Sequence, residues 1–198
     1  PARAEADEDP AATWARYALG ARVMLVRHDP ERFEPVLHPL TFGQWAAGGR
    51  DGRFPTLDDL EYHLTTLFPP VRLRGWLELR MIDALPDPWW QVPVAVAVAL
   101  LGDTGVAAEA QRATAPVAGL WRLAARHGLA HPALHEAAWR CFALALEALA
   151  GSRDADLVPV VAAYRDRFVA PGRCPADDSL DAWARHGGPL PALEAAAN

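Results

Sequence analysis

The residues best suited to chemistry lie in one stretch, 71–81, with the sequence VRLRGWLELRM. A single β-strand over this stretch would place alternate side chains on opposite faces. One face would then carry Arg72, Arg74, Trp76, Glu78 and Arg80. Arginine binds phosphate and carboxylate groups through a planar fork of N–H donors. The pattern predicts a strand with an anion-binding face; the alternative is an ordinary solvated face with an ion pair at Glu78.

The opposite face of the predicted strand is apolar, and we expect it to pack on the core. Its members are Val71, Leu73, Leu77, Leu79 and Met81. The strand follows a helix predicted for residues 56–67, with Thr56 as N-cap and Asp58 and Asp59 in a first turn that favours acidic groups. Pro69-Pro70 ends this helix and leads directly into the charged strand.

Three further elements are predicted before this stretch. They are a short helix at 11–19, a strand at 22–27, and a helix at 40–47 in which Phe42 and Trp45 are buried. The glycine-rich run that follows, 48–52, indicates a loop. The first half of the chain therefore contains the predicted strands.

After the charged strand the sequence becomes helical in character. Residues 88–101 predict a helix, although the Val/Ala alternation also suits a buried strand. Apolar residues then recur every three or four positions, as in packed helices. The later helical segments are 105–125, 132–150, 154–168, 178–185 and 192–197. The predicted class is α+β, with a sheet-bearing part at 11–103, a helical part at 104–198, and residues 1–10 disordered or a linker.

Composition narrows the range of partners. A net charge of −6 argues against nucleic acid, and 52% hydrophobic residues indicate a globular chain of 198 residues. The longest apolar run, residues 92–101, has about half of the ~20 residues that a membrane span needs. The acidic N-terminus does not resemble a signal peptide. With Cys141 and Cys174 interpreted as reduced thiols, we expect a soluble cytoplasmic protein that binds no membrane.

Two other groups of reactive side chains are weaker candidates for chemistry. His127, His131 and His135 are spaced by four, which can build a metal site on a helix. Pro132 interrupts that spacing and no further ligand is evident, so we do not predict a metal there. Cys141 lies in an apolar helical stretch, which predicts a packed thiol and not a nucleophile.

Several motifs between residues 63 and 103 resemble the glutamate–cysteine ligases, in particular the actinobacterial ergothioneine-pathway type. The motifs are HLTT at 63–66, FPPVR at 68–72, LELR at 77–80 and the tryptophan-containing helix that follows. Weaker similarity extends back to Tyr17 and forward to Asp178. The resemblance implies a glutamine-synthetase-like carboxylate–amine ligase, whose antiparallel sheet curves into a bowl around ATP and divalent metal ions.

The resemblance also implies a role for each charged residue of the strand. Glu78 would bind Mg²⁺, and Arg80 would bind the carboxylate of glutamate or its phosphorylated form. Arg72 and Arg74 would meet the phosphates of ATP. Arg72 and Arg80 would also act in catalysis, since they would stabilise charge on the transferred phosphoryl group.

The implied substrates are L-glutamate and L-cysteine, which ATP would join into γ-glutamylcysteine through a γ-glutamyl phosphate. Thr66 and Trp76 are further candidates for substrate binding, and the alternative for Thr66 is that it only caps or braces the loop. Members of the family are much longer than this chain, and Glu78 alone cannot hold their metal ions. The chain is therefore expected to be a C-terminal portion, inactive alone, whose partner is the N-terminal half of the enzyme in cis or as a second chain.

Two alternatives remain at this stage. The chain could be a non-catalytic fragment or regulatory subunit with the same fold. It could also belong to a γ-glutamyl ligase that uses a different amine, since the acceptor pocket would lie partly in the N-terminal half.

Overall fold

The computed structural model describes residues 9–73 and 75–186. The chain forms two compact units, Pro1–Met81 and Ile82–Asn198. The division between the units thus falls before the helix at 91–101, whereas the predicted boundary between the sheet-bearing and helical parts lies after residue 103. The predicted helix at 192–197, the residues before Asp9 and the predicted site residue Arg74 lie outside the described residues.

The first unit combines three helices with two small sheets among its described residues. The helices are α1 (Pro10–Gly20), α2 (Phe42–Gly48) and α3 (Leu57–Thr65), and the strands are β1 (Leu25–Arg27), β2 (Phe33–Pro35), β3 (Val71–Leu73) and β4 (Leu77–Leu79). Strand β1 pairs with β2 and strand β3 with β4, both antiparallel. An α+β class is therefore correct for this chain.

The core of the first unit forms around α2. Phe42 and Trp45 are 4% and 2% exposed, as predicted, and they pack with Val23 and Val26. Helix α2 begins at a capping box, in which the Thr41 hydroxyl accepts from the backbone of Gln44 while the Gln44 side chain accepts from the backbone of Thr41. The helix consequently starts two residues later than the hydrophobic pattern suggested.

All of the secondary-structure elements described in the second unit are helical. It contains α4 (Gln91–Leu101), α5 (Thr104–Thr114), α6 (Trp121–His127), α7 (Pro132–Ala150), α8 (Val158–Tyr164), a π-helical turn (Arg165–Val169) and α9 (Pro175–His186). Helix α4 packs against α7 and α8 through Val92, Ala95, Leu149 and Val161. These helices form the core of the unit.

The predicted helix at 105–125 is wrong. The chain instead forms α5, a 3-10 turn at Ala115–Val117, and α6. Pro116 lies in the first turn of that 3-10 segment, where its missing N–H cannot continue the α-helical hydrogen-bond ladder. Helix α9 begins three residues earlier than predicted.

Within residues 9–73 and 75–186, no single helix has the length and apolar character to cross a membrane. The segments Gln91–Leu101 and Thr104–Val117 satisfy those criteria only as a pair, and the pair is bent by 106°.

Candidate functional site

Residues 71–81 form a β-hairpin and not the single strand that the alternation suggested. Val71 lies opposite Leu79, and Arg72 lies opposite Glu78. Gly75 has a φ of +79°, a backbone conformation that glycine adopts readily, and the chain reverses there. Directly opposed residues in an antiparallel pair share a face, as do residues two apart on one strand. Arg72, Glu78 and Arg80 therefore lie on one face despite the reversal.

The predicted apolar core face of this stretch is largely uncovered. Leu77 is 66% exposed and Met81 is 52% exposed, and Val71 is also exposed. Two strands alone bury little apolar surface, because a sheet face needs a packing partner. The expectation that this face belongs to the core is thus wrong for the hairpin as it stands in this chain.

A two-point ion pair holds the charged face together. Nε of Arg72 donates to Oε2 of Glu78 at 2.7 Å, and Nη2 donates to Oε1 at 3.0 Å. Nε of Arg80 lies 3.9 Å from Oε1 of the same carboxylate. These three side chains carry two positive charges and one negative charge, and each remains partly accessible. Their combined charge favours an anionic ligand.

Arg80 has a donor that finds no hydrogen-bond partner among residues 9–73 and 75–186. Its backbone N–H donates to the carbonyl of Pro70 at 2.8 Å, and its guanidinium carbon lies 5.1 Å from the ring centroid of Phe68. Nη1 of Arg80 is buried without a hydrogen-bond partner among the described residues. An unpaired buried donor is unfavourable, so such groups call for a specific explanation. A ligand oxygen would satisfy this one.

Thr66 and Trp76 lie outside the paired strands of the hairpin. The Thr66 hydroxyl donates to the carbonyl of His63 at 2.7 Å at the end of α3, which leaves its oxygen able to accept. Trp76 lies at the reversal of the hairpin and is 69% exposed. The structure therefore groups Arg72, Glu78 and Arg80, whereas Thr66 ends α3 five residues before the hairpin and Trp76 lies in the hairpin turn.

The sequence matches a known family over nearly its full length. The model of glutamate-cysteine ligase family 2 (GCS2) covers residues 1–195. This chain belongs to that family.

Named relatives agree with the family assignment. The chain is 45% identical over 176 residues to glutamate–cysteine ligase EgtA of Mycolicibacterium smegmatis and 44% identical over 177 residues to EgtA of Mycobacterium tuberculosis. Each match covers 88% of this chain and 40% of the relative. A chloroplastic glutamate–cysteine ligase of Solanum lycopersicum is 55% identical over 38 residues, which is 19% of this chain and 7% of that protein.

This member of the ligase family spans well under half the length of the bacterial relatives it matches. No solved structure matches it significantly. The resemblance inferred from the HLTT, FPPVR and LELR motifs is thus confirmed at the level of the family.

The hairpin of this ligase-family chain does not form a magnesium site by itself. Both oxygens of Glu78 accept from Arg72, so the carboxylate faces a cation already. Among the described residues, no group of three His, Cys, Asp or Glu side chains is placed to hold a metal ion. Mg²⁺ is bound through oxygen ligands, which include carboxylates, phosphates and water. The face as arranged fits an anion and not a divalent cation.

A half-buried ion pair near the start of α3, between Arg53 and the buried Asp59, was not anticipated from the sequence. Nη2 of Arg53 donates to both carboxylate oxygens of Asp59, at 2.8 and 2.7 Å. The backbone N–H and hydroxyl of Thr56 also donate to Asp59. Burial alone would raise the pKa of Asp59, but the Thr56 and Arg53 hydrogen bonds outweigh it, and the pKa is lowered. The T-x-x-D cap motif identified the helix start but not the arginine partner.

A second charged cluster involves β1, β2 and the turn after α2. Glu34 accepts hydrogen bonds from Nε2 of His28 at 2.9 Å and from Nη2 of Arg50. These contacts lower the pKa of Glu34, with His28 contributing most. A cavity of about 140 Å³ lies beside the cluster. Sequence spacing offers no signal for this contact, because Arg50 meets Glu34 only through tertiary structure.

Two reactive side chains of the helical unit, Cys141 and His135, are part of its packing. Cys141 and Cys174 are both free, as predicted, and burial raises the pKa of the Cys141 thiol. That shift disfavours the thiolate and hence nucleophilic chemistry. Nε2 of His135 lies 2.8 Å from the carbonyl of Val169 and so donates to it. His135 therefore braces α7 against the turn that follows α8.

Proposed function

We propose that this chain is the C-terminal part of an ATP-dependent ligase that joins L-glutamate to L-cysteine. The observation that carries the proposal is the hairpin face of Arg72, Glu78 and Arg80, in which Nη1 of Arg80 has no hydrogen-bond partner in the part of the chain that the structure describes. Membership of the glutamate–cysteine ligase family supports the reaction class. The names of the two bacterial relatives support the substrates.

Each residue of the hairpin face has a proposed task. Nη1 of Arg80 is proposed to bind an oxygen of the glutamate carboxylate or of its phosphorylated form. Arg72, with Arg74, is proposed to bind the phosphates of ATP. Trp76, exposed at the hairpin tip, and the Thr66 hydroxyl are proposed to contact the substrate from the two ends of the face.

The proposed reaction has two transfers. The γ-carboxylate oxygen of glutamate attacks the terminal phosphorus of ATP, and ADP leaves, which forms γ-glutamyl phosphate. The amine of cysteine then attacks the acyl carbon, loses a proton, and displaces inorganic phosphate to give γ-glutamylcysteine. Both steps develop negative charge on oxygen, and preorganised guanidinium groups stabilise such charge. Arg72 and Arg80 supply that stabilisation in the proposal.

The proposal requires carboxylates from outside this chain. Mg²⁺ would neutralise charge on the ATP phosphates, and a role for Glu78 as its ligand would require release from the Arg72 fork. We propose that the hairpin is one part of a larger antiparallel sheet that curves around the substrates. The exposed Val71 and Leu77 support this, because a two-stranded sheet with an uncovered apolar face is marginal alone.

A second candidate function is a non-catalytic partner with the same fold. The observation that favours it is the single carboxylate on the hairpin face, held by arginine. A ligase for an amine other than cysteine is a variant of the first candidate and uses the same hairpin.

The test uses two proteins: this chain alone, and a complete chimera in which this chain replaces the matching region of the Mycolicibacterium smegmatis relative. Each is incubated with ATP, glutamate and Mg²⁺ and with either cysteine or another primary amine, while ADP and the γ-glutamyl product are measured. We expect product from the chimera and none from the chain alone. A folded chimera that yields no γ-glutamyl product would favour the non-catalytic candidate, and product with another amine alone would change the acceptor.

A further inference from the structure

Helix α4 is apolar on all sides. Its sequence is QVPVAVAVALL, in which Gln91 is the only polar residue. A helix at the surface of a globular protein normally has one apolar stripe and an opposite polar face. A helix that is apolar all round is normally surrounded by protein or lipid. Helix α4 therefore has a second apolar face where a surface helix would have a polar one.

One side of α4 already has its partners. Val92 and Ala95 are each 2% exposed and belong to the core cluster of the helical unit, with Val96 and Ala99 beside them. That cluster also includes Leu149 of α7 and Val161 of α8. This side of α4 is therefore part of the core of the helical unit.

The other side of α4 carries a contiguous exposed stripe. Its members are Trp90, Val94, Val98 and Leu101, which are 55%, 55%, 56% and 63% exposed. Spacings of four, four and three residues place them on one helical face. Nε1 of Trp90 donates to Asp87 at 3.1 Å, which fixes the indole at the N-terminal end of the stripe. The stripe is a row of large apolar groups with no charged residue of α4 among them.

We propose that this stripe is covered by the part of the ligase polypeptide that this chain does not span. The inference rests on the proposed function, in which this chain is one portion of a longer enzyme. The matched bacterial relatives are covered over only 40% of their length, so most of the family polypeptide lies outside this chain. A contiguous exposed apolar patch on one portion marks a contact surface.

A second copy of this chain is the less suitable occupant. A standard stable interface buries about 800 Å² on each partner. Four half-exposed side chains on one short helix provide much less than that. A segment of the same polypeptide needs no such area, because covalent connection supplies a high effective concentration.

The exposed residues of the long helix α7 provide a comparison for those of α4. Its exposed positions include Glu136, Arg140 and Glu147, with Ala143 also exposed among them. The exposed side of α7 thus carries three charged side chains among its apolar ones, whereas the exposed stripe of α4 carries none. Ala143 therefore provides a matched control position for an acidic substitution.

The first measurement is hydroxyl-radical footprinting of Trp90, read by mass spectrometry, on this chain alone and on the complete chimera. We expect Trp90 to react at least fivefold more slowly in the chimera, while exposed Trp121, which is not on α4, serves as an internal reference. Equal reactivity of Trp90 in a folded chimera would overturn the proposal. This readout needs no substitution and no ligase activity.

The second measurement compares Val98→Asp with Ala143→Asp in both proteins by thermal unfolding. We expect Val98→Asp to lower the melting temperature of the chimera by several degrees and to leave the isolated chain unchanged. Ala143→Asp should have equal, small effects in both. Equal effects of Val98→Asp in the two proteins would contradict the proposal. So would a dimer of the isolated chain that Val98→Asp dissociates, since the occupant would then be a second copy.

Failure of this inference is distinguishable from failure of the proposed function. A chimera that forms γ-glutamylcysteine but leaves Trp90 fully reactive would retain the function and reject the docking surface. A chimera that protects Trp90 but forms no product would retain the docking surface and reject the ligase assignment.

Discussion

Glu78 and Arg72 face each other across the β3–β4 hairpin and share two hydrogen bonds, at 2.7 and 3.0 Å. The pair is a directly opposed cross-strand pair, so it both stabilises the register and orients the guanidinium. Arg80 approaches the same carboxylate at 3.9 Å. Glu78 therefore positions two arginines whose remaining donors are proposed to bind substrate oxygens.

Replacement of Glu78 by glutamine tests whether the carboxylate positions the two arginines for turnover or only contributes to folding. A glutamine side chain at this position would lack the charge and would turn an N–H₂ group towards Arg72, so both arginines would lose their common anchor. In the complete chimera we expect kcat/KM to fall by about 100-fold or more, by analogy with loss of one electrostatic contact in an active site. Glu109→Gln, in a longer exposed pair with Arg112, should leave turnover unchanged. Wild-type turnover in Glu78→Gln would show that Glu78 has no role in the proposed site.

Gly75 makes the hairpin possible, and its replacement tests the reversal directly. Its φ of +79° is unfavourable for a residue with a Cβ atom, by about 1–2 kcal/mol. Gly75→Ala should therefore destabilise the hairpin and reduce turnover of the chimera, because Arg72 and Glu78 would lose register. Gly20→Ala is the control, since open space surrounds that position. If Gly75→Ala proved as active and as stable as Gly20→Ala, that result would contradict the hairpin turn described at Gly75.

The Arg53–Asp59 pair should contribute to stability and not to chemistry. Arg53→Ala would remove the charged partner of the buried Asp59 carboxylate, whose remaining hydrogen bonds among the described residues come from Thr56. We expect the free energy of unfolding to fall by about 2 kcal/mol, since a buried acceptor loses its charged partner. Arg112→Ala, in an exposed pair, should change it by less than about 0.5 kcal/mol. Urea denaturation provides the comparison, and equal effects of the two substitutions would contradict the structure.

His63 should make stability depend on pH. It is 3% exposed, its Nε2 donates to the Ala18 carbonyl at 3.0 Å, and burial lowers its pKa from the ordinary value of 6.5. Below pH 6.5 the unfolded chain takes up a proton that the folded chain resists, so stability falls as the pH falls through this window and levels off below the folded-state pKa.

The His63 prediction has a direct readout. The imidazole resonance of His63 should titrate at lower pH than that of an exposed histidine, and His63→Gln should weaken the dependence of unfolding free energy on pH between about 7.5 and 5.5. A His63 resonance that titrates at or above pH 6.5 would contradict the buried neutral form.

The local elements near α2 and α3 were predictable because their signals are local. Thr56 as N-cap and the burial of Phe42 and Trp45 follow from short sequence patterns, and the structure confirms them. The charged face was also predictable, because an antiparallel hairpin preserves the alternation of a single strand. For the same reason, alternation could not reveal the reversal at Gly75.

Other features depend on contacts distant in sequence or on single residues that override a pattern. Arg50 meets Glu34 across 16 positions, and no spacing rule anticipates that contact. Pro116 ends a helical pattern that the apolar periodicity would have continued. The uncovered faces of α4 and of the hairpin are likewise beyond pattern analysis, since periodicity identifies an apolar face but not whether a partner is present.

The most direct test of the ligand-binding hairpin is turnover of the Arg80→Ala chimera. We predict that γ-glutamylcysteine formation falls by at least about 100-fold while the melting temperature changes little, because Arg80 is proposed to bind the reacting carboxylate. Arg153→Ala, whose side chain is 94% exposed, is the matched control and should remain fully active. Near-normal turnover in Arg80→Ala would contradict the central claim that this hairpin face binds the substrate.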